Sequence, residues 1–302
     1  MSVYYCIVHA GALATTGPIR PHDGSCGAEG DTIITAKLFG HIDQYAYWFI
    51  DLLVGTPQQR TSLIVDTGST LPGFTCEIPK AHVGNHIDPH FDINKSSTAK
   101  WLSCDDCPAT FRTQCREDKC YYHQSYTEGS SIEGYWFEDY VSLDDHDELN
   151  PAVMTKLGCH TSENKLFYTQ KANGIMGMAP SRGGGRTVLE TLFDSKENPV
   201  DKSLFSMCLA TWGGQLVVGG YNATRHTYRS SVVSIVIEAF RSSVSWAPMS
   251  TDRGYYYISI QSLGVYPEDQ PSTVKAVTGA KEISTDQASF GDAMVDSGTT
   301  YT

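Results

Sequence analysis

Two short stretches of this chain, 230 positions apart, are written almost alike. Leu63 to Leu71 reads LIVDTGSTL, and Ala293 to Thr302 reads AMVDSGTTYT. In each, an aliphatic run leads into an aspartate, a small hydroxyl residue, a glycine and two more hydroxyl residues. A single Asp-Ser-Gly turn is common on protein surfaces. Two of them, each seated by an apolar run at the end of a buried strand, restrict the fold to one that uses the same loop twice. The glycine allows a tight turn and a close backbone approach. If the loops face each other, the carboxylates of Asp66 and Asp296 share one proton, because like charges a few ångströms apart resist ionising together. One then serves as acid and the other as base at the same pH. Such a pair activates a water and protonates a carbonyl oxygen, which is general acid–base hydrolysis of a peptide bond without a covalent intermediate. Ser69 and Thr299, each three residues after its aspartate, are placed to hydrogen-bond the outer carboxylate oxygen. Thr67 and Ser297 are placed to brace one loop against the other, with Gly68 and Gly298 at the turns. No cofactor and no metal is expected.

The rest of the chain reads as mostly β. Short β-rich runs occur at Tyr47 to Gly55, Arg60 to Asp66, Tyr135 to Leu143, Gly214 to Gly220, Ser230 to Ile237 and Tyr255 to Val265, with Gly and Pro between them. One stretch, Arg186 to Lys196, has a helical apolar period at Val188, Leu189, Leu192 and Phe193. With 302 residues the chain is long enough for two domains, or one and a half. Residues 1–34 read as a leader or linker. Val3 to Ala14 is apolar and ends in an Ala-x-Ala-like pattern, but it lacks a basic start, so a degraded signal peptide and a simple tail both stand. No run reaches the roughly 18 apolar residues of a membrane-spanning helix. A lobe boundary is placed near residue 222, giving an N-terminal lobe over 35–222 and a partial C-terminal lobe over 223–302.

A net charge of −12 argues against a nucleic-acid partner, which calls for a basic face. It fits plain solubility, or a cleft that favours cationic substrates. Five of the nine cysteines lie in one insert over 76–120: Cys76, Cys104, Cys107, Cys115 and Cys120. Their spacing admits a zinc site or a disulfide-stapled loop of an oxidising compartment. Disulfides are the preferred reading, with Cys159 and Cys208 as further structural cysteines. The sequons Asn94-Lys95-Ser96 and Asn222-Ala223-Thr224 lean the same way. An odd total leaves at least one thiol free or paired elsewhere. His82, His86 and His90 fall at four-residue spacing, but Gly84, Asn85 and Pro89 among them predict a loop and not a metal-binding helix.

From about Tyr47 to its last residue, the chain resembles the pepsin-like aspartic proteases. YWFIDLLVGTPQQRTSLIVDTGST matches the family's lead-in, its Gly-Thr-Pro turn and its first aspartate. QSYTEGSSIEG, residues 124–134, resembles the flap hairpin, with Tyr126 as the flap tyrosine and Gly129-Ser130 at the tip. NGIMGMAP, residues 173–180, resembles the apolar-apolar-Gly segment under the first active-site loop. QLVVGGYN resembles the end of the first lobe, and WAPM with YYYISIQSLGV the start of the second. The resemblance implies a bilobal, mostly β fold and a polypeptide substrate. Within the family the chain is most similar to the plasmepsin V-type proteases of apicomplexan parasites. Phe74-Thr75-Cys76, the cysteine-rich insert, Cys120 to Tyr126 and Gly158 to His160 carry that likeness. Fewer cysteines in the insert, and Thr127 where plasmepsin V has cysteine, depart from it. That subfamily implies a membrane-anchored enzyme of the endoplasmic reticulum or Golgi, with its anchor beyond residue 302, cutting secreted proteins at an Arg-x-Leu export motif.

The flap offers a reason for an arginine preference. Glu128, two residues after Tyr126, is placed to pair with a substrate guanidinium at a non-prime position; a solvated hairpin-tip glutamate is the plainer alternative. Gln170 is a companion candidate. Two rival readings are a catalytically inactive pepsin-like binding protein, and a cysteine-rich zinc or adhesion module that leaves the doubled aspartates unexplained. After Asp296 a pepsin-like lobe still needs a second apolar-apolar-Gly segment and several strands. The sequence alone therefore predicts an active full-length product and an inactive or poorly folded 302-residue piece.

Overall fold

In the computed structural model, residues 5–10, 32–108, 113–143, 152–181, 186–195, 200–221, 249–251, 253–259, 263–265, 281–283 and 292–298 are described. The expected strand at 230–237 and the boundary near 222 lie outside them. The chain is mostly β, built on a thirteen-stranded sheet whose core closes on itself. Six strands make the closure. Trp48–Val54 pairs with Gln59–Asp66, then follow Gly174–Gly177, Pro72–Thr75, Val153–Glu163 and Ser131–Leu143. Ser131–Leu143 returns to the first strand with Leu52 opposite Leu143. Closure removes two sheet edges and encloses Leu52, Leu63, Val65, Phe74, Phe137, Leu157 and Met176. Outside this ring, Ile34–Gly40, Gly213–Val218, Leu204–Ala210 and Tyr5–Ala10 extend the sheet in that order. Residues 5–10, read from the sequence as leader, thus form a strand antiparallel to Leu204–Ala210.

The strands follow from their side-chain patterns. Ile34, Ala36 and Leu38 are buried and alternate with less buried neighbours, as on a sheet with one dry face. The last six residues of Gln59–Asp66 are all buried, as are all four of Gly174–Gly177. These two strands run parallel, with Asp66 opposite Gly177, and are covered on both faces. The expected helix spans Val188–Asp194 and buries Val188, Leu189 and Leu192. Its start is fixed by a capping box: the Thr187 hydroxyl accepts from the Glu190 N–H at 3.2 Å, and the Glu190 carboxylate accepts from the Thr187 N–H at 3.0 Å. A second, five-residue helix spans Lys165–Thr169.

Disulfides staple the insert. Cys104 pairs with Cys115, Cys107 with Cys120, and Cys76 with Cys159 across 83 residues. Cys208 is also disulfide-bonded. The loop carrying His82, His86 and His90 is irregular. A smaller three-stranded sheet joins Met249–Ser250, Tyr257–Ser259 and Asp292–Met294, and delivers Asp296. Tyr256 plugs this sheet into the main core: its ring meets Phe205, and its hydroxyl donates to the Met178 carbonyl at 2.7 Å. No helix among the described residues is long and apolar enough to cross a membrane.

Candidate active site

The two aspartate loops meet. Asp66 ends its strand and Asp296 follows Asp292–Met294 by two residues. Each carboxylate accepts from the backbone N–H two residues on: Gly68 to Asp66 at 2.9 Å, and Gly298 to Asp296 at 2.8 Å. The glycines are required by contact and not only by the turn. A Cβ on Gly68 would lie 2.6 Å from both oxygens of Asp296. A Cβ on Gly298 would strike Asp66. Each carboxylate is therefore packed against the other loop's backbone.

Four hydrogen bonds lock the loops reciprocally. The Thr67 N–H donates to Ser297 Oγ at 3.1 Å, and the Ser297 N–H donates to Thr67 Oγ1 at 2.8 Å. Thr67 Oγ1 then donates to the Val295 carbonyl at 2.9 Å, and Ser297 Oγ to the Val65 carbonyl at 2.7 Å. Ser69 Oγ donates to Asp66 Oδ2. Thr299 lies outside the described residues. Beneath the first loop, Ile175-Met176-Gly177 pairs with it, and Met178 N–H donates to the Asp66 carbonyl at 2.7 Å.

Asp66 is only 5% exposed. Burial, and then the neighbouring Asp296 through charge and hydrogen bonding, pushes its carboxyl up to about 7, against the pull of Ser69 and the Gly68 N–H. The site thus holds a proton that an isolated aspartate would have lost.

A hairpin of Lys119–Ser125 and Ser131–Leu143 leans over the loops. Its tip turns at Gly129, which has φ +88°, and the Tyr126 N–H donates to the Ser130 carbonyl at 2.9 Å. The Tyr126 hydroxyl is enclosed, and burial, with the charges of Asp66 and Glu128, pushes it well above the usual phenol range. A cleft of about 320 Å³ runs between the first loop (68–71), the hairpin (124–127), Pro180 and 253–255. Glu128 is exposed at the tip and accepts from the Ser130 hydroxyl. Gln170 is not among the cleft-lining residues; its amide donates to the Ala172 carbonyl at 3.2 Å.

Arg253 escaped the sequence reading, and Asn173 entered it only as the first residue of the segment over 173–180. Arg253 lines the cleft and pairs with Asp292 at 3.2 Å. Asn173 is fully buried: its side chain accepts from Ser62 Oγ and Asp88 N–H and donates to the Asp88 carbonyl. It ties the strand below Asp66 to the loop over 82–90. Nothing local in the sequence marks it as an interior hub.

The chain is similar to several known proteins. A family model described as xylanase inhibitor N-terminal matches residues 48–220. Aspartic protease 5 of Toxoplasma gondii is 39% identical over 208 residues, covering 64% of this chain and 21% of that protein. Plasmepsin V of Plasmodium falciparum is 40% identical over 187 residues, covering 61% of this chain and 31% of its own length. Aspartyl protease AED1 of Arabidopsis thaliana is 24% identical over 258 residues, covering 84% and 47%. The chain therefore spans between about a fifth and a half of these relatives. It belongs to the xylanase inhibitor N-terminal family, among the pepsin-like aspartic proteases.

Proposed function

We propose that the protein is an aspartic endopeptidase in which Asp66 and Asp296 form the catalytic pair. The observation that carries this reading is the reciprocal lock of Thr67 and Ser297, which packs each carboxylate against the opposite glycine. The shared-proton chemistry is the established behaviour of aspartic-protease dyads. One carboxylate is ionised and takes a proton from water as the water oxygen attacks the scissile carbonyl carbon. The other is protonated and donates to the carbonyl oxygen. The tetrahedral diol then collapses, the C–N bond breaks, and a proton passes to the leaving amine. Tyr126 and the hairpin close the cleft from above and exclude bulk water.

The substrate is a polypeptide. By resemblance to the plasmepsin V-type enzymes it carries an Arg-x-Leu motif, with the arginine against Glu128 at the hairpin tip; Gln170, turned to Ala172 and away from the cleft, is set aside as a contact. Three disulfide pairs suit an oxidising, secretory compartment, with a membrane anchor outside residues 1–302. The division into lobes over 35–222 and 223–302 belongs to the same proposal. A second reading, binding without hydrolysis, has the inhibitor description of the matching family in its favour.

The full-length protein, incubated with an Arg-x-Leu peptide, decides between them. Cleavage that falls at least a hundredfold in Asp66→Asn and Asp296→Asn supports the protease. Tight binding of the peptide without cleavage supports the second reading. For specificity, Glu128→Gln should lose more activity on the arginine peptide than on its alanine version; equal loss on both removes the proposed contact.

A further inference from the structure

A charged cluster lies in the core behind the hairpin, away from the two aspartates. Glu163 closes the strand Val153–Glu163, His160 stands three residues before it, and His86 comes from the loop over 82–90. All three side chains are fully buried. Glu163 Oε2 lies 2.9 Å from His86 Nε2 and accepts from the Gly84 N–H at 3.1 Å. Glu163 Oε1 lies 3.0 Å from His160 Nδ1. The second ring nitrogen of His86, Nδ1, lies 3.1 Å from the Gln170 carbonyl oxygen.

The donors and acceptors fix the charges. Burial alone would raise the Glu163 carboxyl, but hydrogen bonds and charge from His160 and His86 outweigh it and hold the group at about 2. Glu163 is thus ionised and only accepts; a carbonyl oxygen also only accepts. Both nitrogens of His86 face acceptors, and only the doubly protonated ring satisfies both. His160 faces one acceptor, through Nδ1, and its Nε2 makes no hydrogen bond, so its partners do not demand a second ring proton as those of His86 do. Near it stand His90 on the same loop, 6.2 Å from His86 ring to ring, and Tyr122 from the hairpin, 6.3 Å from His160 ring to ring, which feels the charges of Tyr126, Glu163 and Tyr121.

The segment that His86 grips is the platform of the hairpin. Asn164, next to Glu163, makes three hydrogen bonds with Ser131: from the Ser131 N–H at 2.8 Å, to its carbonyl at 3.2 Å and to its hydroxyl at 2.7 Å. Phe167 packs on the Tyr126 ring at 4.8 Å and on His160 at 6.4 Å. Gln170, at the far end, is held through its carbonyl. We propose that His86 is a buried imidazolium and a positioning residue: by clamping Glu163 and Gln170 it holds the 163–170 platform on which the hairpin closes, and so sets substrate affinity. The kinetic part rests on the protease reading above; the charge state and the clamp do not.

Three measurements on the full-length protein test it. Nitrogen NMR of histidine-labelled protein at neutral pH should show both His86 ring nitrogens protonated, and the ring should turn neutral in Glu163→Gln. A neutral single tautomer in the unaltered protein overturns the proposal, whether or not either variant folds. Hydrogen exchange at the Ser131 amide should quicken about tenfold in His86→Gln, the scale of one lost charge-assisted hydrogen bond; an unchanged rate breaks the link to the hairpin. In the same variant KM should rise about tenfold with kcat within about twofold. A fall in kcat at constant KM overturns the positioning role. A protein that cleaves no peptide overturns the protease reading instead, and the first two measurements still decide His86.

Discussion

Asp66 feels burial and a second carboxylate at once, and both act in the same direction. Its folded carboxyl titrates near 7, against an ordinary value of 3.8. Between those limits the folded chain holds a proton that the unfolded chain has released. The stability this lends is complete below about pH 4, declines as pH rises and is gone above about 7. In the proposed mechanism that proton is the one the general acid donates. Cleavage should therefore fall about tenfold per pH unit above 7. Denaturant melts should show stability dropping from pH 5 to pH 8, and Asp66→Asn should flatten that slope. A rate profile level from pH 5 to 9, or an unchanged slope in the variant, contradicts the assignment. Gly68 carries a sharper residue-scale prediction. An added Cβ meets the Asp296 carboxylate at 2.6 Å, so Gly68→Ala should cost at least a hundredfold in kcat while leaving the circular dichroism unchanged. Full activity in that variant would mean that the loops do not approach as closely as described.

At the scale of elements, what could be read from the sequence was whatever is local. The aspartate turns and the hairpin tip each sit within a dozen residues. The Val188–Asp194 helix announces itself by its apolar period. The strand Val153–Glu163 was not singled out, because its buried positions include Thr155, His160 and Glu163, polar types that mask the alternation. His86 reads as one of three loop histidines; its partner lies 77 positions away, and only the fold brings them together. The cysteines fall between these cases. Their spacing suggested staples but could not say which pairs close long loops. That difference has a measurable consequence. Removing Cys76–Cys159, which closes 83 residues, should cost about 4.5 kcal/mol on loop-closure entropy; removing Cys104–Cys115, which closes 11, should cost about 3 kcal/mol. Paired Cys→Ser variants compared by urea midpoint should keep that order. The reverse order would show that local packing around the insert, and not chain closure, governs its stability.

Across the whole molecule, the site depends on two sheets. The main sheet supplies Asp66; the three-stranded sheet supplies Asp296. Between them run the contacts of Tyr256 with Phe205 and Met178, the packing of Met249 and Val295 on the main core, and the four bonds of Thr67 and Ser297. Each hydroxyl there both accepts from the opposite loop and donates to it, so removing either one strips a backbone N–H and a carbonyl of that loop of their partners and loosens the contact that all four bonds span. The two should act as a unit. Thr67→Val keeps the branched shape and deletes the hydroxyl; Ser297→Ala does the same on the other side. Each single variant should lose about 2 kcal/mol, the worth of two partly buried hydrogen bonds, and at least tenfold in kcat as the carboxylates drift apart. The double variant should lose little more than either one, a coupling of at least about 1 kcal/mol in a double-mutant cycle. If the two losses simply add, the loops are held independently, and the pairing of Asp66 with Asp296 must be maintained by the sheets themselves. Coupling without loss of kcat would mean that the lock serves stability alone, and that the carboxylates keep their spacing through the glycine contacts.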